Sequence, residues 1–138
     1  MTAPSAPSLP ARTFSVTIRH EWQSLYERIW HPEVFAQWAA GLANSDLEQH
    51  GEIWQAQGSD GPITIRFTPH NRFGVMDHFV DPGDGSVVHV PLRVVQNGEG
   101  AEVMLTLFRQ PGMSDEHYAA DIKLINRDLR SLKALIER

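Results

Sequence analysis

The chain of 138 residues has no cysteine. That excludes disulfides, thiolate metal sites and a cysteine nucleophile. It has no excess of positive charge: 12 Lys and Arg stand against 17 Asp and Glu, a net charge of −5. That balance argues against nucleic acid or an anionic membrane as the main partner. No run approaches the roughly 18 apolar residues of a membrane helix. There is no Gly-rich phosphate loop, no GxSxG elbow and no HExxH pair among the seven histidines. The first residues, Met1 to Ala11, lack the basic and apolar regions of a signal peptide, so a flexible tail and a cytoplasmic location are the expectation. Residues 12–138 are of a size for one domain, and 41% hydrophobic content is enough for a core.

What is present is periodicity. Phe14, Val16 and Ile18 alternate with polar residues, the pattern of a half-buried strand. Trp22, Leu25, Tyr26, Ile29 and Trp30 then follow helical spacing. His31-Pro32 ends that helix, and Pro32 suits the first position of a second one, with Val34, Phe35 and Trp38 on its apolar side and Gly41 as its stop. Strands are expected over Glu48–Gln57, Pro62–Thr68 and Phe73–Val80. Turns at Gly58–Gly61, Pro69–Arg72 and Asp81–Gly85 separate them.

A hairpin follows around Asn97-Gly98, a dipeptide suited to a type I′ turn. Pairing Gln96 with Glu99 puts Val88, Val90, Leu92, Val94, Ala101, Val103, Leu105 and Leu107 on one face, with His89, Arg93, Glu102 and Thr106 on the other. From Ser114, a good N-cap followed by two acids, helical spacing runs to Arg138, with Tyr118, Ile122, Ile125, Leu129, Leu132 and Ile136 in one stripe. The order is strand, two helices, about five antiparallel strands and one long helix. The class is α+β.

Carrying the hairpin register back through the turns gives one inward face that includes Trp54, Ile65, Phe67, Phe73, Val75 and Phe79. Glu52, Asp77 and Arg109 interrupt it. Buried charges need partners, and Asp115 or Asp121 is within sequence reach of Arg109. Asp77 is thereby a candidate general base, or a group that orients a ligand hydroxyl; the bland reading is a structural carboxylate. His78 and His89 fall opposite each other on the outer face. Two imidazoles alone make a poor metal site, and no metal or cofactor is expected. Met76, Val80, Val87, Met104 and Phe108 join His78 on that outer face, apolar enough for a homodimer surface.

The segment Trp22 to Gly41, in which a helix is followed by Pro and then Trp, the run Gly74-Val-Met-Asp-His78 and the long closing helix resemble the START-like (SRPBCC, polyketide cyclase/dehydrase) superfamily over roughly residues 13 to 138. The resemblance implies a helix-grip fold, in which a curved antiparallel sheet wraps the C-terminal helix around a cavity. It also implies binding of an apolar, aromatic or lipid-like molecule there. Trp54, Phe67, Phe73, Val75, Val90 and Leu105 of the sheet and Tyr118 and Ile122 of the helix would line the site. Asp77 would orient the ligand, and Arg109 would favour an anionic one. The alternatives are a cyclase or dehydratase using Asp77 as acid/base, and a protein-interaction module using the outer sheet face. The family has no universal catalytic set, so whether the chain is an enzyme stays open.

Overall fold

The computed structural model describes residues 7–39, 47–58 and 61–138. The stop at Gly41, the interior of the Gly58–Gly61 turn and the first six residues of the tail lie outside these. Strand β1 (Ala11–Ile18) starts at the last residue of the expected tail. The Pro10 carbonyl already accepts from the Arg109 N–H at 2.8 Å.

Both short helices form where their signals stand. In α1 (Trp22–Ile29) the Glu21 carboxylate caps the first turn, accepting from the Gln23 and Ser24 N–H groups, and Leu25, Tyr26 and Ile29 are buried. In α2 (Pro32–Trp38) proline occupies the first turn and Phe35 and Trp38 are buried. The long α3 (Asp115–Ile136) is capped by Ser114, whose Oγ accepts from the His117 N–H at 3.0 Å.

Eight strands follow or flank these helices. Besides β1 they are β2 (Glu48–His50), β3 (Ile53–Gly58), β4 (Gly61–Phe67), β5 (His78–Asp81), β6 (Val88–Val90), β7 (Leu92–Asn97) and β8 (Gly100–Phe108). They pair antiparallel in the orders β1-β8-β7 and β2-β3-β4-β5-β6. Pro91, which has no N–H to give a ladder, separates β6 from β7 and passes the chain from one sheet to the other. Bonds from Met76 N–H to Leu92 O (2.8 Å), Val94 N–H to Gly74 O (2.9 Å) and Thr106 N–H to Pro91 O (3.0 Å) join the two into one curved surface. Helix α3 packs on β1, β8 and α2, so the fold is the helix grip: α+β, a curved antiparallel sheet around the C-terminal helix. Ile18, Leu25, Ile29, Leu92, Val94, Val103 and Leu132 form the driest part of the core.

Three sequence expectations are corrected. The span Glu48–Gln57 is not one strand. It turns tightly at Gly51, with φ 66°, and His50 pairs with Ile53, which leaves Glu52 exposed on the turn. The hairpin pairs Asn97 with Gly100, two residues out of the expected register. Its central residues are Gly98 and Glu99. Gly98 has φ 58° and no described non-glycine residue has positive φ, which excludes type I′ and fits glycine leading a type II′ turn. Asn97 then stays in the ladder and donates from Nδ2 to Glu102. Because the shift is even, the apolar face is unchanged.

The third correction is odd, and so it reverses a face. Phe67 pairs with His78, and His78 with Val90, because the β4–β5 connection runs over residues 68–77 and the β5–β6 connection over 82–87. Both loops are longer than the turns expected there. Asn71 organises the first one: its Oδ1 accepts from the Phe73 and Val75 N–H groups, and its Nδ2 donates to the Pro69 and Val75 carbonyls. Met76 and His78 therefore point into the core, while Phe73, Val75, Asp77 and Phe79 take the opposite side. Phe73 is 72% exposed and Phe79 is 41% exposed.

Candidate functional site

The stripe along α3 is covered unevenly. Leu129, Leu132 and Ile136 are buried, whereas Tyr118, Ile122 and Ile125, on the same stripe, are only half-buried. Beside that uncovered half lies a pocket of about 400 Å³. Its walls are Val88 of β6, Leu107 and Phe108 of β8, the turn from Gln110 to Met113, and His117 and Asp121 of α3. Val88 and Leu107 belong to the inner apolar face.

Two charges stand at this end of α3, and the structure separates them. Arg109 donates to Asp115 (2.6 Å) and to the Met113 carbonyl (2.9 Å), and its guanidinium lies 5.1 Å from the Tyr118 ring. It fastens the entry to α3, as one of the two partners considered for it required. Asp121 remains in the pocket wall, and burial there pushes its carboxyl above the usual range. Its neighbour is His117, one turn earlier, with Nε2 3.6 Å from Oδ2.

A second pocket of about 400 Å³ opens at the corner between α1 and α2. Trp30, His31, Trp54 and Phe67 wall it, with Arg66 and Glu52 at its rim. The rings meet at steep angles: Trp30 to His31 at 5.4 Å, His31 to Trp54 at 6.1 Å, Trp54 to Phe67 at 6.5 Å. The Nδ1 of His31 accepts from the Glu33 N–H at 3.3 Å, so its donor capacity lies on Nε2.

Deeper in, His78 is 5% exposed, between Phe35 (4.9 Å) and Phe67 (5.7 Å). Burial pushes its pKa down to about 4, so the ring is neutral, and Nδ1 lies 3.3 Å from the Met76 carbonyl. Trp38, whose ring also meets Phe35, has its Nε1–H buried without a partner.

Asp77 has a different setting from the one expected. It is 8% exposed and faces Arg93 and His89 rather than α3. Arg93 grips it with two bonds of 2.9 Å, the Leu92 N–H adds one of 3.0 Å, and His89 Nε2 stands at 3.2 Å. Burial would raise its pKa, but the bonds from Arg93, Leu92 and His89 win and hold it at about 2. Its backbone carbonyl accepts from both the N–H and the hydroxyl of Thr68. The histidine pairing also changes: His89 stands opposite Phe79 and stacks on it at 4.7 Å and 14°, while His78 is inside. The described residues contain no group of three or more His, Asp or Glu placed to hold a metal. Of the apolar residues expected outside, Met76 is core and Val80 is on the inner side; Phe79 takes their place beside Val87, which is exposed as expected, at a shallow groove with Ile53.

Of the residues singled out in the sequence, Trp54 and Phe67 meet at the corner pocket, and Val90 and Leu105 lie on the inner face. Tyr118 and Ile122 are neighbours in sequence of the wall residues His117 and Asp121 but are not themselves in the wall, and Arg109 is taken up by Asp115 and the Tyr118 ring. Phe73, Val75 and Asp77 do not reach either. Sequence reasoning passed over His117 and took Asp121 only as a possible partner of Arg109. Their i, i+4 spacing beside the Tyr118–Ile122 stripe was the available signal.

No protein-family model and no curated protein matches the chain. Solved structures do. An uncharacterised protein from Bacillus thuringiensis aligns over 94% of this chain and all of its own, with 16% identity and a TM-score of 0.73. The Aha1 dimer from Colwellia psychrerythraea aligns over 94% and 97%, with 12% identity and a TM-score of 0.71. DynU16, a protein of the dynemicin biosynthetic locus, aligns over 92% of this chain but 47% of its own, with 15% identity and a TM-score of 0.68. At such identities the likeness is one of fold alone, the helix grip.

Proposed function

We propose that the protein binds a small apolar or aromatic molecule between the sheet and α3. The observation that carries this is the pocket walled by Val88 and Leu107 of the sheet and by His117 and Asp121 of α3, next to the turns of α3 where the apolar stripe is only half-buried. The core closes fully around Leu129 to Ile136, so the gap at the other end is local. A ligand burying roughly 200 Å² of apolar surface there gains on the order of 5 kcal/mol before its loss of freedom is subtracted. The volume suits a molecule of one or two rings.

Two further observations favour binding over catalysis. Asp77 is saturated by four bonds from three residues, and its pKa is held at about 2, which makes it a weak base near neutrality. It also lies away from the pocket. We assign it to holding the loop before β5 against β7.

Uptake of N-phenyl-1-naphthylamine, a neutral fluorescent probe, tests the reading. The wild-type protein should bind it in the micromolar range, and Leu107→Trp, which fills the pocket, should weaken binding by roughly tenfold or more. Phe73→Ala, on the exposed side, should leave it unchanged. Absence of uptake by folded wild-type protein, or equal uptake by Leu107→Trp, would overturn the proposal.

A further inference from the structure

We propose that the pocket under α3 selects apolar molecules bearing a cationic group, an amine above all, and discriminates against carboxylates. This rests on the reading of that pocket as a ligand site and adds the charge of the ligand.

The inference starts from which charges face the pocket. Arg109 would have favoured an anion, but its guanidinium is occupied by Asp115, the Met113 carbonyl and the Tyr118 ring. The positive end of the α3 dipole is answered as well. Ser114 Oγ takes the His117 N–H, and Asp115 and Glu116 lie in the first turn. What remains in the wall is the Asp121 carboxylate, half-buried among Val88, Leu107 and Met113. Beside it in the same wall stands the His117 imidazole, at 3.6 Å and with a side chain 58% exposed. The sheet contributes no charge to this wall: Val88, Leu107 and Phe108 are all apolar.

A carboxylate in such a place is partly shielded from water and has a single imidazole beside it. Burial has already made its charged form less comfortable. A ligand ammonium would restore a charge-assisted hydrogen bond while the ligand's apolar body covers Val88 and Leu107. A ligand carboxylate would bring a second negative charge to the same place. The net charge of −5 works in the same direction at longer range.

Three probes of one shape decide it: 4-phenylbutylamine, 4-phenylbutan-1-ol and 4-phenylbutyrate, titrated calorimetrically into the full chain near pH 7.5 and low salt. The amine should bind roughly tenfold more tightly than the carboxylate, with the alcohol between them. Asp121→Asn should bring amine and carboxylate to within about threefold and leave the alcohol nearly unchanged; Asp121→Glu should keep the preference. If the alcohol binds and the amine is no better than the carboxylate, the charge preference is wrong and the pocket stands. A preference that survives in Asp121→Asn also sinks it. If none of the three binds, the pocket reading falls and this inference with it.

Discussion

Gly74 is the residue where backbone freedom matters most. Its φ is 71°, and a Cβ built there would stand 2.2 Å from the Val94 carbonyl oxygen. The contact is that close because the Gly74 carbonyl accepts from the Val94 N–H, stitching the long loop to β7. A methyl group must push the two apart. Gly74→Ala is expected to lower stability by about 3 kcal/mol, read as a shifted urea midpoint. Gly98→Ala makes the comparison: its φ is 58°, but nothing lies within 4 Å of the added atom. Only the backbone penalty applies there, about 1 kcal/mol. Equal losses at the two positions would show that the close approach to β7 matters little.

At the scale of elements, α3 depends on its first turn more than on its last. Its C-terminal half is buried against β1 and α2, whereas its N-terminal half is held by the Ser114 cap and the Arg109–Asp115 pair. Ser114→Ala should cost about 1 kcal/mol. Hydrogen exchange should locate the loss: the His117 amide is expected to exchange faster while the Leu132 amide is unaffected. Uniform loss of protection along the helix would mean that α3 opens as one unit. The helices were the legible elements. Trp22 to Trp30 and Tyr118 to Ile136 show a 3.6-residue period over several turns, with caps or proline at their starts. Strand β5 was not legible in the same way. Every residue from Phe73 to Val80 except Gly74, Asp77 and His78 is apolar, so the alternation gives no preferred face.

At the scale of the whole molecule, two buried groups give stability a pH dependence in separate windows. His78 falls from 6.5 to about 4 on folding. The unfolded chain therefore takes up a proton below 6.5 while the folded one does not, and stability drops as the pH falls from 6.5 to about 4. Asp77 falls from 3.8 to about 2. Its ionised form stabilises the fold fully above 3.8, and that contribution is lost as the pH falls through about 2. The first shift corresponds to about 3 kcal/mol and the second to about 2 kcal/mol. Urea unfolding at pH 7.5, 5 and 3 should show His78→Leu losing the first slope, and a series from pH 4.5 to 2 should show Asp77→Asn losing the second. A variant that keeps the wild-type slope would assign that window to other groups. Among the described residues no helix is long and apolar enough to cross a membrane.

By itself the sequence determined the order of elements, the helix starts, the apolar face of the Val88–Leu107 hairpin and the aromatic pair Trp54 and Phe67. These are written in local spacing, and an even register error leaves them intact. Tertiary structure decided which way β5 faces, and with it the fates of Asp77, His78, Phe73 and Phe79. That phase depends on the lengths of two loops, which are set by Asn71, Gly74 and the bonds to β7, contacts that local spacing does not encode. It also decided the charge of the pocket. Arg109 and Asp121 are both within sequence reach of the site, but only packing shows that one is spoken for by Asp115 and the other is left in the wall.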